Sequence, residues 1–155
     1  MSIADQWLRR YGENHEHAVN RALHCLSIPL IIVAVVGLLW SAPVPEAFSQ
    51  SSPALNWGML FLMASVVYYF VLSFALAIGM LPFVTLIAIA VVWLDGLTTP
   101  LWIISAAAFA VAGAGQIIGH AFERRSVSLF TDLNLVMIGP LWLLAALYQR
   151  LRIPY

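Results

Sequence analysis

Apolar residues fill one long sector of the chain, from Cys25 to Gly119, and no Lys or Arg falls between Arg21 and Arg124. A helix that crosses a bilayer needs roughly 20 mainly apolar residues, because the hydrocarbon core is about 30 Å thick. Divided on that measure, the sector yields four helices. The first covers about residues 24–40 and stops at SAPVPEAF, where Pro43 and Pro45 prevent continuation. SAPVPEAFSQSSPALN reads as a loop from its Pro and Ser content. Residues 57–94 suffice for two helices with almost nothing between them, and Gly79 followed by Pro82 is the expected hinge, since Gly ends helices and Pro opens them. Asp95-Gly96 with Thr98, Thr99 and Pro100 makes the next turn, and the fourth helix covers about 101–119. A fifth, about 133–149, contains Gly139-Pro140, which would kink or break it, so its full crossing has the weakest support. Residues 1–24 read as an interfacial helix with Trp7, Leu8 and Tyr11 available to the membrane. The expected fold is all-α: a polytopic membrane helical bundle of four to five transmembrane helices with an N-terminal interfacial helix, residues 1–155 forming a single integral membrane domain.

Composition sharpens this reading. Of 155 residues, 63% are hydrophobic and 9% charged, against roughly 25% charged in a soluble domain. The net charge is zero and every cation is Arg, so there is no basic field and no nucleic-acid partner is expected. The single Cys25 excludes an intramolecular disulfide and a Cys-based metal knuckle, and is expected to be small buried filler. MSIADQWLRRYGENHEH has no apolar core followed by a cleavage site, so it does not read as a secretory signal.

Four crossings return the chain to the side from which it started. Trp40, Trp57, Trp93 and Trp102 then fall together at the opposite ends of the helices, as an aromatic belt would. Arg9, Arg10, Arg21, Arg124 and Arg125 lie on the starting side, against Arg150 and Arg152 beyond the fifth helix. The positive-inside rule makes the starting side cytoplasmic, at the inner membrane of a bacterium or the endoplasmic reticulum of a eukaryote. In the fourth helix, Ala106, Ala110 and Ala114 recur every four residues and Gly115 with Gly119 forms GxxxG, small-residue spacing that lets helices approach closely. Internal packing is the simpler reading, and a homo-oligomer through this helix is the other.

All four histidines flank the apolar sector, and the same topology brings both flanks to one interface. His17, Asn20, Arg21 and His24 share one helical face, whereas His15, nine residues before His24, is about half a turn out of phase. Gln116, His120, Glu123 and Arg124 share a second face, and His120-x-x-Glu123 is a spacing by which one helix presents imidazole and carboxylate to the same ion. Neutral imidazoles, a carboxylate and no thiolate suit Fe(II), Mn or Zn. Four histidines are too few for a di-iron membrane hydroxylase, so a single ion is what the chain supports. Plainer roles compete: headgroup-level histidines, Arg124-Arg125 as a topology signal, Glu123 paired with an arginine. Against them stands the cost of ionisable groups near hydrocarbon.

Tyr11-x3-His15-x4-Asn20-x3-His24-x4-Pro29, followed by Gln116-Ile-Ile-Gly119-His120-x2-Glu123-Arg124-Arg125 and Gly139-Pro140, resembles the 2-hydroxy fatty acid dioxygenase family over nearly the whole chain. Val127 stands where family members commonly carry a proline after the paired basic residues. The resemblance implies a small polytopic membrane enzyme performing Fe(II)-dependent alpha-oxidation, in which a 2-hydroxy fatty acid and O2 give CO2 and the acid one carbon shorter. It implies metal ligands at His15, His24 and His120, with Glu123 as fourth ligand or supporting partner, and catalytic roles for Asn20, Glu123 and Arg124. His17 has no counterpart in the motif. A 2-hydroxy acid would chelate the iron through carboxylate and hydroxyl, with Arg21, Arg124 or Arg125 neutralising the carboxylate and the acyl tail in the bundle or the membrane lipid. The alternatives are a single-zinc membrane hydrolase using the same histidines and a non-catalytic lipid-binding protein.

Overall fold

The computed structural model describes residues 18–52, 54–121 and 135–152, and six helices occupy them. These are α1 (Ala18–Trp40), α2 (Glu46–Ser51), α3 (Trp57–Leu72), α4 (Phe74–Asp95), α5 (Leu101–Ala121) and α6 (Leu135–Leu151). Among the described residues there is no strand. Ala22–Trp40, Phe74–Asp95 and Leu101–Gly119 are each long and apolar enough to cross a membrane, and α3 is a shorter apolar helix of 16 residues, about 24 Å at 1.5 Å per residue. The expected all-α class is the observed one, with three candidate spans and a shorter apolar helix, while the interfacial helix expected in the N-terminal segment lies, up to residue 17, outside the described residues.

α1 is the hub. It packs against α3, α4, α5 and α6, most extensively against α5. Ile28, Ile32 and Val36 of α1 join Leu62, Ile87, Val91, Leu101 and Ile138 in one buried cluster, while Tyr69, Leu76, Ala77, Met80, Leu141 and Ala145 form a second. Large apolar side chains such as Leu26, Val71, Leu86 and Val111 point outward, where hydrocarbon is as good a solvent as another leucine. Helix association in such a medium depends on close packing rather than on water exclusion. Trp40 ends α1, Trp57 opens α3, Trp93 lies in the last turn of α4 and Trp102 in the first of α5, so these four of the six tryptophans gather at one end of the bundle. The other end, where α1 begins and α5 finishes, is called the rim below.

Several local expectations are corrected. The segment read as a loop after Trp40 contains α2: Glu46 occupies its first turn, where the helix dipole favours an acid, and Ser51 Oγ donates to the Ala47 carbonyl at 2.8 Å. The hinge between α3 and α4 is not at Gly79 and Pro82 but at Ser73, whose extended backbone (φ −164°, ψ 125°) breaks the helix. The Ser73 amide donates back to Tyr69 at 3.0 Å, and its hydroxyl accepts from Leu76 at 3.5 Å, so one residue both ends α3 and caps α4. Pro82 lies inside α4. Gly79 is used otherwise: a Cβ there would collide with the hydroxyl of Tyr148 on α6, which donates to the Ala75 carbonyl at 3.4 Å. Cys25 is exposed on the outer face of α1 rather than buried filler. Ala106, Ala110 and Ala114 also face outward, and the packed face of α5 runs through Ser105, Ala112, Gly115 and Gly119 instead.

α6, with 17 residues, is shorter than the three helices long and apolar enough to cross. Near its start Gly139 touches Ile28, and near its end Tyr148 touches Gly79. Tyr148 also donates to the Ala75 carbonyl, so the end of α6 sits against the first turns of α4, at the end opposite Trp93. The last turns of α6 therefore lie at the rim end of α4. Arg150 and Arg152 at its exposed end consequently belong with the rim. In intact membranes, R152C should react with an impermeant maleimide from the same side as S126C, and S51C and T98C from the other. Labelling of R152C together with S51C would show that α6 crosses fully.

Candidate metal centre

The rim is built on the α1–α5 seam, an antiparallel pair in which small residues of one helix receive side chains of the other. Ser105 of α5 seats against Gly37 at the tryptophan end, and Ser27 of α1 against Gly115 nearer the rim, where a Cβ on the glycine would stand 2.7 Å from Ser27 Oγ. One turn further, Gly119 meets Asn20 and His24: its Cβ would lie 2.5 Å from Asn20 Oδ1 and 3.6 Å from His24 Cδ2. Asn20 and His24 share a face of α1 because they are four residues apart, and both are 0% exposed. A fully buried imidazole and amide on a membrane helix are costly unless they serve a site.

Gly119 is followed by His120 in the last turn of α5, so the packing that buries His24 also brings the backbone of His120 to the same rim. Gln116, one turn before His120, is half-buried. Within the protein, Asn20 Oδ1 and His24 Nε2 are buried atoms with no hydrogen bond, although both residues have other interaction partners. An imidazole nitrogen so placed suits a metal ligand, and an amide oxygen beside it suits orientation of a ligand or of a substrate hydroxyl. One imidazole nitrogen and one amide oxygen are thus the donors that the described residues place at the rim, and imidazole is a donor that Fe(II) or Zn accepts.

Of the residues the sequence singled out, Asn20 and His24 come together against Gly119. His15, His17, Glu123, Arg124 and Arg125 lie outside the described residues, as do the side chains of Arg21 and His120. Among the described residues no group of three metal-binding side chains occurs. Ser27 and Gly37 escaped the sequence reading. A serine ten residues before a glycine in each helix (Ser27 and Gly37, Ser105 and Gly115) was the available signal.

Fold and rim together define a polytopic helical membrane protein with a buried His and Asn pair where two antiparallel helices end. The chain belongs to the Mpo1-like family, described as 2-hydroxy-palmitic acid dioxygenase Mpo1-like, whose family model matches residues 1–151. That description points to oxygenase chemistry on a 2-hydroxy fatty acid. No curated protein and no solved structure matches the chain.

Proposed function

We propose that this protein is an Fe(II)-dependent oxygenase that shortens 2-hydroxy fatty acids by one carbon at the rim of the bundle. The observation that carries the proposal is the α1–α5 seam: in a chain of this family, it packs the buried His24 and Asn20 against Gly119, directly before His120. His24 and His120 supply imidazoles from two helices, and His15 and Glu123 complete the set. Iron held there would supply activation of O2 and open positions for the carboxylate and hydroxyl of the substrate. Asn20, fixed by burial, orients the hydroxyl or a ligand, and Arg124 neutralises the substrate carboxylate. The acyl tail leaves the rim toward lipid, so an enzyme of this kind needs little beyond the membrane bundle.

The conversion closes without another reductant: one 2-hydroxy acid and one O2 give the shorter acid, CO2 and water. The C1–C2 bond breaks, C2 becomes the new carboxyl carbon, and O2 accepts four electrons. Purified protein with Fe(II) and O2 should convert 2-hydroxypalmitic acid to the fifteen-carbon acid, with C1 recovered as CO2. The unhydroxylated acid and the 3-hydroxy acid should not react, because only the 2-hydroxyl closes a five-membered chelate with the carboxylate. Equal turnover of the 3-hydroxy acid would refute chelation. Activity with Zn(II) under strict anaerobiosis would make the protein a hydrolase.

The third histidine is a separate question. Extending α1 backwards from Ala18 puts His17 in phase with Asn20 and His24, and His15 out of phase. The family motif nevertheless favours His15, which requires the helix to begin after it. H15A should lose iron while H17A keeps it, as measured by metal content after anaerobic purification; the opposite pattern would assign the ligand to His17.

A further inference from the structure

We infer that Gly119 is a positioning residue: the absence of a side chain there lets Asn20 and His24 lie against α5, one residue from His120. The inference rests on the proposed metal site for its consequence, but its geometric content stands apart from it. α5 contains three glycines near this end, and they differ in what they face. Gly113 has open space, with nothing within 4 Å of a built Cβ. Gly115 faces Ser27 Oγ at 2.7 Å. Gly119 alone of the three faces the buried amide, at 2.5 Å, with the His24 ring in ordinary contact at 3.6 Å.

A methyl group at 119 therefore has a particular consequence. Asn20 is fully buried and its side chain is short, with only two torsions, so it cannot move into water to make way. It must turn into the space beside His24, or α5 must move off α1 and take His120 with it. Either response changes the relation of the imidazoles. Side chains forced into a packed interior destabilise it, but the local effect on His24 is what separates positioning from packing.

The test uses the full chain in lipid nanodiscs, free of metal, with two readouts. One is carbethoxylation of His24 by diethylpyrocarbonate, followed by peptide mass spectrometry; the other is Fe(II) binding by titration. G113A should behave as wild type, with His24 protected. G119A should expose His24, raising its modification rate by about tenfold or more, and should weaken Fe(II) binding by a similar factor. G115A, which loads the same seam away from His24, should lower thermal stability with much less effect on His24 reactivity. In N20A/G119A the amide oxygen that the new methyl meets is gone, so protection of His24 should return even if G119A folds poorly.

His24 equally protected in G119A and wild type would overturn the inference, as would exposure in the double variant equal to that in G119A. If wild type binds no Fe(II) but the protection pattern holds, the metal reading fails and the positioning role of Gly119 remains. Fe(II) bound tightly by wild type and G119A alike, with His24 protected in both, would leave the metal site standing and remove Gly119 from it.

Discussion

Replacing His24 with alanine should strip the protein of Fe(II) and reduce turnover of a 2-hydroxy fatty acid by at least about a hundredfold, since even partners behind a ligand are worth 10–100-fold. His24 is fully buried on the central helix, against the backbone of the residue preceding His120. The substitution leaves a cavity lined by Asn20 and Gly119, which cannot replace an imidazole. H120A should give the same loss from the other helix. If each variant removes one ligand from a shared ion, as proposed, H24A/H120A should be scarcely worse than either alone, as expected of groups that act as a unit. The checks are iron content after anaerobic purification and release of C1-labelled CO2. Unaltered iron in H24A would mean that the buried imidazole is a packing element and that the metal, if any, lies elsewhere. Thermal unfolding of the apo proteins distinguishes loss of the ion from loss of the fold.

The second large effect is at the opposite end of the same seam. G37L should destabilise the bundle by about 1–3 kcal/mol or more, because any side chain at 37 meets Ser105 Oγ at once and then Ser105 Cβ and Leu101. G113L provides the comparison. Gly113 is also helical, and a Cβ there meets nothing within 4 Å. Both substitutions gain the same helix propensity, so the difference in unfolding midpoint between them isolates the α1–α5 contact. Equal stability of the two variants would show that α1 and α5 do not depend on this close approach. Since the seam also sets the relation of His24 to His120, G37L should bind Fe(II) less tightly, although it lies far from the rim.

These effects trace to features with different origins. Four helices, their limits near Trp40, Trp57, Leu94 and Leu101, and the gathering of four tryptophans at one end were legible in the sequence. Hydrocarbon thickness sets span length, and a helix in lipid must satisfy its own backbone, so composition alone carries that information. Asn20 and His24 were legible as one face of one helix, and the return of His120 to the same rim followed from an even number of crossings.

Contacts between helices decided the rest. Gly79-Pro82 has the chemistry of a hinge, yet Gly79 serves to admit Tyr148 from 69 residues away, and Ser73 makes the turn. The alanine row at 106, 110 and 114 and the glycine pair at 115 and 119 are both small-residue patterns, and only the position of α1 shows that the glycines are the packed set. Cys25 and His24 are neighbours in sequence, one facing outward and the other buried. In a membrane, apolar character cannot distinguish lipid-facing from helix-facing positions, because both are oily. The hydrophobic pattern therefore determined that this chain spans and where, while the steric fit of Ser27, Gly37, Ser105, Gly115 and Gly119 determined which faces meet and brought His24 to the α5 backbone beside His120.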